Sequence, residues 1–217
     1  MSNSNSNALS RLNIKNNIKN IIFDLDGTLY PLKTLKANMF MAALKNPKRA
    51  KLFQKARVLM RDINWDDEKY TNRNKFLQRQ AACVNTSVEY LNKYYSDMQK
   101  RVFKIKPFVG VKDTLYALKT EGYRLFVYSD FPIENKLKEL GVDYYFDSAF
   151  TSEDTGFLKP DNRGFLYLKE KTGIECYDTL FVGDDKKKDG GFASSSSIAF
   201  SLLGRDWVWM DEKEKSV

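Results

Sequence analysis

The stretch "IIFDLDGTLY" (residues 21–30) puts two carboxylates, Asp24 and Asp26, at the end of an apolar run. Residues two apart on a strand point to the same side, so both would face one crevice unless the chain turns between them. Paired carboxylates repel, and they persist together only where a cation or a shared proton offsets the repulsion. Magnesium is the obvious cation: it is hard and octahedral, and it is held by one or two carboxylates together with phosphate and water. Asp184, closing a later apolar run in "DTLFVGDD" (178–185), is a natural second carboxylate ligand. Gly27 would let the backbone come close to a bound phosphate, and Thr28 would turn the chain out of the strand.

The chain contains no histidine. This excludes Ser-His-Asp and Cys-His nucleophilic catalysis and any histidine general base, leaving carboxylates, lysine, hydroxyls and a hard metal. Its two cysteines, Cys83 and Cys176, are far apart with no CxxC spacing, so they read as ordinary thiols and not as a zinc site or a disulfide framework.

Such side chains need elements to position them. "NIIFDLD", "YRLFVYSD" (123–130) and "DTLFVGDD" share one design, an apolar strand with Ser or Asp at its carboxyl end. Between and after them come helical patterns: "VKDTLYALKTEG" with Val111, Leu115 and Leu118 on one face, "IENKLKELG" with Ile133, Leu137 and Leu140, and "DNRGFLYLKEKTG". Strands alternating with helices predict right-handed crossovers and a parallel α/β sheet covered on both faces. Ligands of such sheets bind at the carboxyl ends of the strands, where Asp24, Asp26, Ser129, Asp184 and Asp185 all fall.

Residues 32–106 differ. They read as several amphipathic helices, the last opening with Thr86 and Glu89 in capping-box spacing. Residues 31–106 hold 18 Lys/Arg against 6 Asp/Glu, whereas the whole chain carries a formal net charge of +8, so the basic charge is concentrated in this insertion. It would attract an anionic small substrate, nucleic acid or an anionic membrane surface, or simply solvate helix faces. Phe53, Phe76, Tyr90, Tyr94 and Tyr95 recur at helical spacing and read as core, not as base-stacking platforms. Residues 1–16 are rich in Ser and Asn and read as a flexible tail, with structure starting near Ile18. The chain has no apolar run of eighteen or more residues, and its polar start lacks a secretory signal, so a cytoplasmic protein with no membrane association is expected.

Together "DLDGT" (24–28), Ser129 ending "LFVYS", Lys159 in "GFLKPD", and "VGDDKKKD" with Asp184 and Asp189 resemble the four motifs of the haloacid dehalogenase-like hydrolase superfamily. The resemblance runs from Lys19 to about Leu203. It implies a Rossmann-like α/β core over 17–31 and 107–217 and a helical cap over 32–106. It further implies that Asp24 is the nucleophile forming an aspartyl-phosphate, and that Asp26 is the general acid and base whose backbone carbonyl helps hold the metal. Ser129 would donate to the phosphoryl oxygens, Lys159 would offset charge, Asp184 would complete a Mg²⁺ site, and Gly27, Thr28 and Asp130 would line the phosphate. The superfamily's dehalogenases and phosphonatases lack an Asp at the position of Asp26, so a phosphatase is implied. Its substrate would be a small phosphorylated metabolite of the nucleotide, phosphoglycolate or sugar phosphate class. Two departures stand out: Asp130 where Asn is frequent, and "GGFASSSSI" after Asp189 where Ile-x-Gly-Ala is usual. Asp185 and Asp189 would position Lys159 and its neighbours or lie in the outer sphere of the metal. The competing reading is a catalytically degenerate scaffold whose basic insertion binds nucleic acid or a protein partner.

Overall fold

The computed structural model describes Leu12, residues 14–63 and residues 71–210. Most of the tail expected over 1–16 lies outside these residues. Leu12 and Ile14 nonetheless pack on the core, so apolar burial anchors the chain earlier than the start expected near Ile18.

Strand β1 (Asn20–Phe23) is central. Its neighbours are β2 (Arg124–Ser129), which is joined in turn to the edge strand β3 (Ser148–Thr151), and β4 (Thr179–Gly183), which is joined to β5 (Ala199–Leu202). All four pairings are parallel, with Ile22 opposite Phe126 on one side and Phe181 on the other. The order β3-β2-β1-β4-β5 means that the chain builds outward from β1 in one direction and then returns to build in the other. Loops leaving β1 and β4 therefore diverge to opposite faces, and a crevice opens between them at the strands' carboxyl ends.

Alternation along the strands fills two cores. Ile21, Phe23, Leu125, Val127, Leu180 and Val182 face one layer, which contains helix α5 (Val111–Thr120). Ile22, Phe126, Tyr128 and Phe181 face the other, which contains α8 (Arg163–Thr172) and α9 (Asp189–Ser195). This doubly buried pattern explains why the three central strands read as continuous apolar runs. The edge strands β3 and β5 are only partly buried and carry polar residues, "SAFT" and "AFSL".

Between β1 and α5 lie four helices, α1 (Leu32–Lys45), α2 (Pro47–Asp62), α3 (Arg73–Ala82) and α4 (Val88–Gln99). They enclose their own apolar cluster around Phe53, Phe76, Tyr94 and Tyr95, while Tyr90 is half-buried beneath the Arg49 guanidinium. The predicted Thr86–Glu89 capping box does not form. Ser87 is the N-cap instead, its hydroxyl accepting from the Tyr90 amide at 3.1 Å, because the helix begins at Val88. Two short helices complete the connections: α6 (Lys136–Leu140) after β2, and α7 (Ser152–Thr155) after β3.

Candidate active site

β1 ends at Phe23, but the Asp24 amide still donates to the Val182 carbonyl at 2.9 Å, which fixes Asp24 at the mouth of the β1–β4 crevice. The chain then turns, with Leu25 and Leu29 fully buried as anchors on either side. Gly27 adopts φ +109°, and a Cβ there would come 2.2 Å from Asp184 Oδ2. Its missing side chain thus makes room for the carboxylate arriving from β4. Gly183 does the same for Asp189, whose Oδ2 would be 2.3 Å from a Cβ. Thr28, fully buried, donates to Asp24 Oδ2 at 3.1 Å.

Lys159 is 2% exposed and joins two carboxylates, with Nζ donating to Asp24 Oδ1 at 2.7 Å and to Asp189 Oδ1 at 2.6 Å. The other oxygen of Asp189 accepts from the Asp185 amide at 3.0 Å. Burial opposes the charge on Lys159, but Asp189, Asp24 and Asp130 outweigh it and hold the ammonium well above its ordinary range. Asp24 moves the opposite way for a carboxyl, pushed up to about 8 by burial, with Asp189 and Asp26 adding to the rise and Lys159 opposing it. Asp184 rises to about 6, through burial first and then through Asp189.

Asp24, Asp184 and Asp189 each offer an oxygen, all within 4.8 Å of one another. Asp184 makes no ion pair among the described residues. An all-oxygen donor set, crowded enough to force carboxyls toward protonation, is the chemistry that a hard divalent cation relieves. The cluster is compatible with such an ion, and it includes Asp189, which the sequence reading kept outside the ligand set.

Asp26 sits on the other side of the turn. Its Oδ1 accepts from the Tyr30 hydroxyl and from Lys136 Nζ at 2.6 Å, and its Oδ2 from Ser129 Oγ at 3.3 Å. Burial, reinforced by the Asp26 charge, keeps the Tyr30 phenol protonated and therefore a donor. Ser129 Oγ also accepts from the Phe131 amide at 3.1 Å.

Asp130 turns away from both. Its Oδ1 accepts from Ser152 Oγ (2.8 Å) and the Lys159 amide (3.0 Å), and its Oδ2 from Arg61 Nη2 (2.6 Å). Arg57, on the same helix α2, donates to the Asp130 carbonyl at 2.9 Å and to the Tyr95 hydroxyl at 3.0 Å. Burial would raise the Asp130 carboxyl, but Arg61, Lys159 and Arg57 outweigh it and hold it well below the usual carboxylate range. Above these groups lies a cleft of about 310 Å³, walled by the strand ends on one side and by α1 and α2 on the other.

A family model described as haloacid dehalogenase-like hydrolase matches residues 21–201. The chain belongs to that family. Its phosphoglycolate phosphatase relative from Haemophilus influenzae (strain 86-028NP) is 33% identical over 181 residues, covering 77% of this chain and 78% of the relative. A glyceraldehyde 3-phosphate phosphatase from Methanocaldococcus jannaschii is 30% identical over 187 residues, covering 79% and 78%. A magnesium-bound HAD hydrolase from Bacillus subtilis superposes with a TM-score of 0.61 at 17% identity, covering 90% of this chain and 92% of that one. Within this HAD hydrolase, Asp24, Asp26, Ser129, Lys159 and Asp184 line or border one cleft, with Gly27 and Thr28 supporting it from the turn. Four residues at the site escaped the sequence reading: Tyr30, Arg57, Arg61 and Lys136. Two of them carried a signal. Arg57 falls on the buried stripe of α2 with Phe53, Ala56 and Met60, and Lys136 falls on the stripe of Ile133, Leu137 and Leu140. A charge inside an apolar stripe marks a buried partner.

Proposed function

We propose that this HAD phosphatase hydrolyses a small phosphomonoester through an aspartyl-phosphate on Asp24. The observation that carries the reading is the separation of two buried carboxylates into different settings: Asp24 held by Lys159 and Thr28, Asp26 held by Tyr30, Lys136 and Ser129. In the first step an Asp24 oxygen attacks phosphorus, the bond to the leaving oxygen breaks, and Asp26 gives that oxygen a proton. In the second step Asp26 takes a proton from water as it attacks phosphorus, and the bond to Asp24 breaks, regenerating the carboxylate and releasing phosphate. Ser129 donates to a phosphoryl oxygen, and Lys159 offsets the charge that accumulates between nucleophile and phosphate. Asp24 and Asp184, with the Asp26 carbonyl, would hold Mg²⁺, and Asp189 supports the set through Lys159. When bound, the ion neutralises phosphate charge and keeps Asp24 ionised against its burial.

Helices α1–α4 act as a cap over the cleft, and its modest volume suits a substrate of a few carbons, such as the phosphoglycolate or glyceraldehyde 3-phosphate named for the relatives. A cytoplasmic setting fits the two free cysteines, and among the described residues no helix is long and apolar enough to cross a membrane.

The test is release of inorganic phosphate across a panel of phosphorylated metabolites, with Mg²⁺ or EDTA, comparing wild type with Asp24→Asn. Turnover that requires Mg²⁺ and falls by at least about 10³-fold in Asp24→Asn is expected, since no other group can form the covalent intermediate. Absence of turnover from a folded protein that binds Mg²⁺ would overturn the reading.

A further inference from the structure

Lys136 is a buried lysine that the phosphatase chemistry does not by itself require. It opens the five-residue helix α6, is 6% exposed, and has Asp26 as its one carboxylate partner among the described residues, at 2.6 Å. Burying an ammonium is unfavourable unless it is paired, and a methionine or leucine would cover the same stripe beside Leu137 and Leu140. The loop before it is sharply bent. Glu134 has φ +40°, a conformation that disfavours side chains other than glycine, and the Ile133 carbonyl accepts from the Lys136 amide at 2.8 Å. The result brings the long side chain back toward the end of β1, beside a small pocket of about 30 Å³ that Tyr30 and Phe131 also line.

On Asp26 the two carboxylate oxygens are treated differently. Oδ1 accepts from both Lys136 and Tyr30, whereas among the described residues Oδ2 meets only the longer contact with Ser129 Oγ at 3.3 Å. Two donors on one oxygen fix the carboxylate plane and leave the other oxygen directed at Ser129, the residue proposed to hold the phosphoryl group.

We infer that Lys136 and Tyr30 are positioning residues for proton transfer: they occupy Asp26 Oδ1 so that Oδ2 is the atom that gives the proton to the leaving oxygen and later takes one from water. The inference rests on the phosphatase reading and names groups that act through Asp26 without touching substrate. Its consequence depends on the leaving group. An alkoxide must be protonated as it departs, whereas p-nitrophenolate leaves as a stable anion, so a misdirected Asp26 slows the first ester and spares the second.

The experiment compares kcat/KM, which covers steps up to leaving-group departure, for p-nitrophenyl phosphate and for 2-phosphoglycolate and glyceraldehyde 3-phosphate. Wild type, Lys136→Met, Lys136→Arg and Tyr30→Phe are assayed with Mg²⁺, after thermal melts confirm folding. Lys136→Met is expected to lose about 10- to 100-fold more on the alkyl esters than on the aryl ester, with Lys136→Arg recovering part of the difference. Tyr30→Phe should shift the ratio in the same direction by less. Should Lys136→Met fail to fold, the other two variants decide the matter by the same ratio. A purely structural lysine would lower both classes of ester alike, and that result, or no loss at all, overturns the inference while leaving the phosphatase intact. A folded wild type that turns over neither class overturns the phosphatase reading itself and this inference with it.

Discussion

Replacing Lys159 by methionine removes the ammonium shared by Asp24 and Asp189 while keeping most of the side chain's bulk against Phe181 and Tyr128. Removing one partner from a buried ion pair typically destabilises by about 3–5 kcal/mol, because the remaining charge has no solvent. One feature of this site reduces that figure. The Asp24 carboxyl is already pushed up to about 8, chiefly by burial, so at neutral pH it can accept a proton in place of the lost ammonium. A loss of about 2–4 kcal/mol is therefore expected, which in a chain of this size lowers the melting temperature by roughly 5–15 °C. Circular dichroism melts at pH 7 in EDTA measure it. The same melts with Mg²⁺ supply a second reading, since a cation among Asp24, Asp184 and Asp189 replaces the missing positive charge. Mg²⁺ should thus stabilise Lys159→Met by more than it stabilises wild type. A variant melting within about 2 °C of wild type in EDTA, or an equal Mg²⁺ shift in both proteins, would refute the claim that Lys159 balances this cluster.

Asp130→Asn should destabilise by about 1–3 kcal/mol at pH 7, because Arg61 loses its carboxylate. The sign with pH follows from the depressed carboxyl: its stabilisation is present above the unfolded value of about 3.9 and is lost as pH falls toward the folded one. Urea melts should therefore show the wild-type advantage narrowing between about pH 5 and pH 3. A double-mutant cycle of Asp130→Asn with Arg61→Met should give a coupling of at least about 1 kcal/mol, and additive losses would show that the pair is only a contact. Gly27→Ala should lose about 1–3 kcal/mol from its positive φ and, by pushing Asp184 aside, weaken Mg²⁺ binding measured by isothermal titration calorimetry.

What the sequence revealed divides by physical cause. The three central strands were legible because burial on both faces leaves no room for polar residues, and their ends were legible because Asp and Ser there break the pattern at once. The edge strands β3 and β5 were not, since half-exposed four-residue segments look like loop. Asp24, Asp26, Ser129, Lys159 and Asp184 form a set that a motif can reveal, but the motif says nothing of what each touches. Asp130 illustrates the gap. As an extra negative charge beside a phosphate it looks unfavourable, yet its carboxylate faces Arg61, Ser152 and the Lys159 amide, and its own neighbours neutralise it. The segment after Asp189 has poor helix formers, but α9 forms over Asp189–Ser195 because Phe192 is clamped between Tyr128 and Phe181. Packing overrides propensity there.

The basic insertion yields to the same kind of argument. Its excess of positive charge suggested attraction of an anionic ligand, but the two arginines that reach the cleft, Arg57 and Arg61, already donate to Asp130, Tyr95 and the Lys159 carbonyl. Lys33, Lys36, Lys45, Lys48, Lys51 and Lys55, all on α1 and α2, are exposed, and Lys45 also reaches Asp97 of α4 at 3.6 Å. The charge around the cleft is set instead by a near balance of buried and half-buried groups, Asp24, Asp26, Asp130, Asp184 and Asp189 against Lys136, Lys159, Arg57 and Arg61. That balance leaves one carboxylate over, and Asp184 is the one with no ion-pair partner among the described residues. With those cations already engaged, the proposed phosphatase would not select substrates by adding up their negative charge. It would select by what fits between Asp24 and the apolar wall of Leu35, Met39, Phe53 and Phe131, and a cation held by Asp24, Asp184 and Asp189 would supply the positive charge that the insertion's surface lysines do not.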